Sequence, residues 1–167
     1  MLEWYAGWSL QFSRHTATGI GIVERFWETK KLEEMNQQEW ESLCDQCAKC
    51  CTVRLEDIDT GSVFCTSVAC NQLNQNDCRC QCYEQRASLV PDCVTITAEL
   101  LDTYDWLPST CAYQLVRHNL PLPEWHPLET GNRQSTLLSG HSVHGIVASE
   151  DDVHPDDLEN FILENNW

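Results

Sequence analysis

The sequence predicts a small α+β domain, irregular and helix-rich, organised around one or two cysteine metal sites. Three observations point there. Cys44, Cys47, Cys50 and Cys51 crowd into one short run, Cys-Asp-Gln-Cys-Ala-Lys-Cys-Cys, and so dense a set of thiols has few uses besides soft-metal ligation. An apolar stripe of helical period leads into that run from Lys31, while short strand-like stretches bounded by Gly, Asn and Asp follow it. Finally, 167 residues with an apolar fraction of 42% and seven tryptophans suffice to bury a core without staples.

Taken in order, residues 1–23 differ from the rest: aromatics, Gly7, Gly19 and Gly21, no cysteine and no sustained period. They read either as a loosely ordered extension or as residues upstream of a native start near Val23 or Glu24, which leaves 24–167 as a single cysteine-cluster domain. From Lys31, Leu32, Met35, Trp40, Leu43 and Cys47 fall within about 140° of one another on a helix, with Glu33, Glu34, Gln37, Gln38 and Glu41 elsewhere. The thiol run then lies at the C-terminal end of that helix or in the loop leaving it. Asp59-Thr60-Gly61 is a turn signal and Ser62 to Val68 reads as a strand, so a hairpin is expected. Cys78, Cys80 and Cys82 alternate in a loop-like stretch, and an extended chain would put all three on one face. Thr97 to Tyr104 and Ser109 to His118 read as short helices, and Leu120 to Pro127 as an extended segment pinned by Trp125. Ser142 to Val147 reads as a strand, and Pro155 as the first position of a helix reaching about Glu164.

Composition narrows the function classes. Eleven cysteines fit a secreted disulfide scaffold, a cytosolic metal site or buried apolar packing. The N-terminus has an acid where a signal peptide wants basic residues and lacks an unbroken apolar region, so a cytoplasmic, metal-binding protein is expected. No stretch approaches the ~20 apolar residues that span a bilayer, which argues against a membrane role. A net charge of −16 would repel a phosphate backbone, so no nucleic-acid partner is expected; the partner the residues imply is a metal ion.

Thiolate sulfur suits zinc and iron–sulfur chemistry, whereas Mg²⁺ and Ca²⁺ want oxygen. On a helix the four thiols would project within about a third of the circumference. Cys50 and Cys51 leave the backbone in different directions, so one mononuclear ion accommodates both poorly and a second metal or a cluster is the natural reading. The Cys-x2-Cys-x2-Cys spacing also resembles that of iron–sulfur proteins, with Cys51 in place of the proline-flanked fourth cysteine.

Several motifs in order carry a resemblance. Cys44 to Cys51, Cys70-Asn-Gln-Leu, Cys80-x2-Tyr83-x2-Arg86, Pro91-Asp92-Cys93, Trp106 to Tyr113 and Leu122 to Leu128 together resemble the bacterial YcgN family, within the wider YkgJ-like CxxCxxCC group. The resemblance runs from about Phe26 to the C-terminus. It implies a zinc- or iron-chelating cysteine cluster of uncharacterised role, with ligand candidates Cys44, Cys47, Cys50, Cys51, Cys70, Cys80 and Cys93. Cys78 and Cys111 look typical of the narrower branch, and Cys78 completes a second set of four with Cys70, Cys80 and Cys93. Cys65 and Cys82 stand where the family has other residues and read as bystanders. Ala87 replaces the proline usual after the arginine.

Tyr83 and Arg86 read as donors that compensate an anionic sulfur site, or as an ordinary surface pair. His126, next to two prolines and a tryptophan, reads as a turn cap rather than a ligand; His141, His144 and His154 read as exposed or core residues. No phosphate-binding glycine loop and no Ser-His-Asp order is present, so catalysis is not expected. The leading expectation is a zinc or iron protein without turnover. The alternative is an iron–sulfur protein in electron transfer or accessory to an oxidoreductase.

Overall fold

The computed structural model describes residues 25–167; the extension expected over 1–23 lies outside the described residues. The chain begins with helix α1 (Phe26–Thr29), a 3₁₀ turn over Leu32–Glu34 and helix α2 (Gln37–Leu43). The single helical run read from Lys31 is thus cut in two, and Asn36 is the reason. Its side chain accepts from Glu39 N–H while the Glu39 carboxylate accepts from Asn36 N–H, each at 3.0 Å, a reciprocal cap that starts a new helix. The apolar stripe survives the break, because Leu32 and Leu43 both reach the core.

That core gathers Trp27, Leu32, Leu43, Leu101, Leu107, Ala112, Tyr113, Val116 and Leu122. Helix α4 (Ala112–Arg117), preceded by helix α3 (Arg86–Leu89), brings Tyr113 against Trp40, with ring centroids 4.7 Å apart and the Tyr113 hydroxyl donating to Trp40 O at 3.1 Å. Arg117 at its end pairs with Glu33 and Asp102. The helices expected over Thr97–Tyr104 and Ser109–His118 are shorter: a 3₁₀ turn over Leu101–Thr103, and α4 itself.

The expected hairpin forms from β1 (Thr52–Glu56) and β2 (Val63–Ala69), antiparallel in the register Arg54↔Cys65, Leu55↔Phe64 and Glu56↔Val63. Asp57 closes it by accepting from Asp59 N–H and Thr60 N–H at 2.9 and 2.8 Å. Strands β3 (Leu73–Asn74) and β4 (Arg79–Cys80) make a second, small hairpin, and β5 (Ala148–Ser149) joins β2 in parallel, giving the order β1-β2-β5.

Beyond β5 the C-terminal tail runs along the same side of β2. Leu163 N–H donates to Cys65 O at 2.9 Å, Cys65 N–H to Asn166 Oδ1 at 2.9 Å, and Trp167 Nε1–H to Thr52 Oγ1 at 3.2 Å. The first two bonds cover backbone groups that an edge strand would leave open.

Two expectations, the strand over 142–147 and the shared face of Cys78, Cys80 and Cys82, are corrected. Residues 142–147 form turns, with Gly145 at φ +73° and Val143 and Val147 buried in a second core beside Ala48, Ala69, Leu73 and Cys78. Cys78, Cys80 and Cys82 do not share a face, since Cys78 is left-handed at φ +57° and β4 holds only Arg79 and Cys80. Helices α5 (Pro127–Thr130) and α6 (Ser135–Leu138) follow the extended prolines, and Pro155 opens a 3₁₀ helix to Phe161 rather than an α-helix to Glu164. No helix among the described residues is long and apolar enough to cross a membrane.

Candidate metal centre

Helix α2 stops at Leu43, so the thiol run is a loop and not a helix face. Gln46 and Ala48 are left-handed, at φ +59° and +60°, and these two reversals turn Cys44, Cys47 and Cys50 towards common surroundings. Each non-glycine residue held there costs about 1 kcal/mol, so the loop needs external support. It has three anchors. The Asp45 carboxylate accepts from Cys47 N–H at 3.1 Å, Val143 N–H donates to Cys47 O at 2.9 Å, and Cys51 O accepts from Cys70 N–H at 2.9 Å.

A fourth support was half legible in the sequence. His126 is fully buried and caps α5, its Nδ1 accepting from Leu128 N–H at 3.1 Å. The proton therefore belongs on Nε2, which lies 3.0 Å from Leu43 O and donates to it. Both ring nitrogens are committed, and the residue they fix is the one before Cys44. Burial holds the imidazole below its ordinary pKa, in the neutral form this geometry requires.

Electrostatic coupling shows which thiols are neighbours. Cys44 reaches the surface yet is packed among enough protein that desolvation pushes its thiol well up, reinforced by Cys50 and Asp45. Cys47 is raised by burial, then by Asp45 and Cys50; Cys50 is raised by Cys51 first and by burial second. Cys111, which precedes α4, joins this group and is pushed up to about 11, chiefly by burial, with Cys50 and Asp45 contributing. Cys93 links it to a second set: burial raises Cys93, and both Cys80 and Cys50 act on it. Cys70 feels Cys80 and Cys93, and the Cys82 sulfur is 3.8 Å from that of Cys80.

Two cations face this sulfur. The Arg54 guanidinium stacks over Trp106 at 3.7 Å, donates to Cys50 O at 3.1 Å and to Thr52 O at 3.3 Å, and lies within reach of Cys50, Cys65, Cys51 and Cys93. Arg86 stacks over Tyr83 at 3.9 Å, donates to Tyr83 O at 2.6 Å and offsets the rise at Cys93, while the Tyr83 hydroxyl bonds Glu41.

The structure brings Cys44, Cys47, Cys50 and Cys51 together with Cys111, and Cys70, Cys80 and Cys93 together with Cys82. Cys78 stands apart in the second core, where burial raises its thiol and Ser142 and His144 N–H bond it. Cys65 is buried beneath the C-terminal tail. His141 stacks on Trp125 at 4.2 Å, and His154 caps the last 3₁₀ helix. Sequence reasoning missed Asp45, only 5% exposed among the thiols, and Arg54; their sole signal was position beside the cysteines. Among the described residues no three such donors are already drawn around one point. The donors are neighbours rather than a closed shell. Their chemistry fits a soft or borderline cation: many sulfurs, one buried carboxylate, and guanidinium groups to balance thiolate charge.

Comparison with known proteins agrees with this donor set. A family model described as "Putative zinc- or iron-chelating domain" (CxxCxxCC) matches residues 43–112, a window that contains every cysteine of the chain. A UPF0260 protein of Cellvibrio japonicus is 52% identical over 139 residues, 83% of this chain and 94% of the relative. Another, of Parvibaculum lavamentivorans, is 49% identical over 140 residues, covering 84% and 92%. A third, of Pseudomonas putida, is 48% identical over 138 residues, covering 83% and 92%. No solved structure matches the chain.

Proposed function

The chain belongs to the UPF0260 family, and from that premise we propose that it is a cytoplasmic zinc- or iron-binding cysteine-cluster protein that works without catalytic turnover. The observation that carries this reading is that Asp45 and Cys50 both lie near enough to Cys44, Cys47 and Cys111 to raise their thiols, with Cys50 also acting on Cys93. We place it in the YcgN branch on the motifs Trp106 to Tyr113 and Leu122 to Leu128. Bound there, a zinc or iron ion would supply positive charge to deprotonated thiols and tie the first loop to Cys70, Cys80 and Cys93.

Counting ligands extends the proposal to nuclearity. The thiols of the two sets outnumber what one tetrahedral ion accepts, so more than one metal atom per chain is expected. The same surplus favours the second reading, an iron–sulfur cluster serving electron transfer or a partner oxidoreductase. Anaerobic purification followed by native mass spectrometry separates the two. A colourless protein with stoichiometric zinc supports the first, and a brown one with broad visible absorption the second. One zinc with the remaining thiols of both sets open to alkylation overturns the multinuclear reading.

Proton linkage supplies a further expectation. Thiols whose folded pKa is raised contribute stability below about pH 9, their unfolded value, and lose it as pH rises through the folded value, about 11 for Cys111. The metal-free protein should therefore melt at lower temperature above pH 9. Metal binding must displace those same protons, so affinity should rise with pH over the range below it. Melting curves and chelator competition across pH 6–10 check both signs; parallel trends would place the raised thiols outside the site.

Arg54 is expected to matter without touching metal. Arg54→Gln keeps a donor on a shorter side chain but removes the cation facing Cys50 and Cys93, and should weaken metal affinity about 10–100-fold. Chelator competition reads this directly. Unchanged affinity with lowered stability would reduce Arg54 to its stacking on Trp106.

A further inference from the structure

The small hairpin β3–β4 carries a thiol that the metal reading leaves without a role. Cys80 ends β4, paired across the hairpin with Leu73, and Cys82 opens the 3₁₀ turn over Tyr83–Gln85. Gln81 N–H, between them, donates to Gln72 O at 2.8 Å, so the backbone that sets their separation is held. Their sulfurs are 3.8 Å apart and in hydrogen-bonding contact, and both residues are partly exposed. A disulfide is about 2.05 Å long, so rotation about the two Cα–Cβ bonds has roughly 1.8 Å to close. Bridging the adjacent Cys50 and Cys51 would instead strain the peptide between them.

We propose that Cys80 and Cys82 form a redox-active dithiol that a low-molecular-mass disulfide converts into an intramolecular disulfide, withdrawing Cys80 from the metal centre. In the first step the Cys80 thiolate attacks one sulfur of the reagent. A Cys80 mixed disulfide forms and one reagent thiolate leaves. The Cys82 thiolate then attacks the Cys80 sulfur, forming the Cys80–Cys82 bond and expelling the second reagent thiolate. The protein loses two electrons and two protons; the reagent disulfide gains both electrons, and its two thiolates take up the protons. The metal-release half rests on the reading of Cys80 as a ligand, whereas the dithiol stands without it.

Trypsin isolates the question, because cleavage after Arg79 and Arg86 yields a peptide, 80–86, whose only cysteines are these two. The full-length, reduced, metal-free protein is incubated anaerobically with oxidised glutathione, alkylated, digested and analysed by mass. The expected product is peptide 80–86 lighter by two hydrogens and unalkylated. In C82S, the Cys80–glutathione adduct should persist instead, since the resolving thiol is gone. A lasting glutathione adduct in the wild type, or a bridge from Cys80 to Cys93, overturns the proposal.

A second arm treats metal-loaded protein with the same reagent. Metal released in step with the disulfide, and retained in C82S, supports withdrawal of Cys80. Disulfide formation with full metal retention overturns that half alone. A reduced wild type that binds no zinc or iron overturns the metal reading, while the peptide result still decides the dithiol.

Discussion

Replacing His126 with alanine is expected to cost about 3 kcal/mol of folding stability, more than any surface change in this chain. The imidazole has no solvent exposure and uses both nitrogens, so its removal strands Leu43 O, uncaps α5 and leaves a cavity. The sign of the accompanying pH effect is fixed. A histidine whose folded pKa lies below its unfolded value of about 6.5 contributes fully above that value and loses its contribution as pH falls through the folded pKa. Denaturant titrations at pH 7.5 and 5.5 should therefore show a wild-type loss that the alanine variant lacks. A loss under about 1 kcal/mol at pH 7.5 would mean that the loop before Cys44 is held by other contacts.

The second large effect concerns Cys50. It lies near enough to act on Cys44, Cys47, Cys93, Cys111 and Arg54, which makes it the thiol most widely shared between the two sets. Cys50→Ser is expected to remove at least one metal atom per chain and to lower the melting temperature of the loaded protein, because binding is coupled to folding. Cys47→Ser and Cys51→Ser should act in the same direction. Cys78→Ala is the contrast: it should keep its metal and lose only about 1 kcal/mol of packing in the second core. Full metal content in Cys50→Ser would remove Cys50 from the ligand set, and metal loss in Cys78→Ala would restore Cys78 to it.

What the sequence revealed was local. The Asp57 turn, the β1–β2 hairpin, the second helix and the thiol run each depend on neighbours in the chain, and turn chemistry or period reported them. Of the two readings of Cys44–Cys51, helix end or the loop leaving it, the structure takes the loop, which a matching period could not decide because it says nothing about φ. Gln46 and Ala48 take the left-handed conformation without the glycine that usually signals it. Asp45, Arg54 and Cys111 were illegible as partners since their meeting depends on tertiary packing. His126 and Leu43 are 83 residues apart, and no spacing rule connects them. Cys82 departs from the family pattern and reads as a bystander in the sequence; its 3.8 Å approach to the Cys80 sulfur is visible only in the fold.

The tail along β2 has a consequence for synthesis. Asn166 bonds a residue 101 positions earlier, so at about 5–20 residues per second Cys65 waits roughly 5–20 s before that bond can form. During that interval the hairpin has an open strand edge, which is a template for wrong pairing. Pairing of that edge waits on Leu163 and Asn166, so slowing translation between Cys111 and Leu163 should lengthen the time for which β2 stays open.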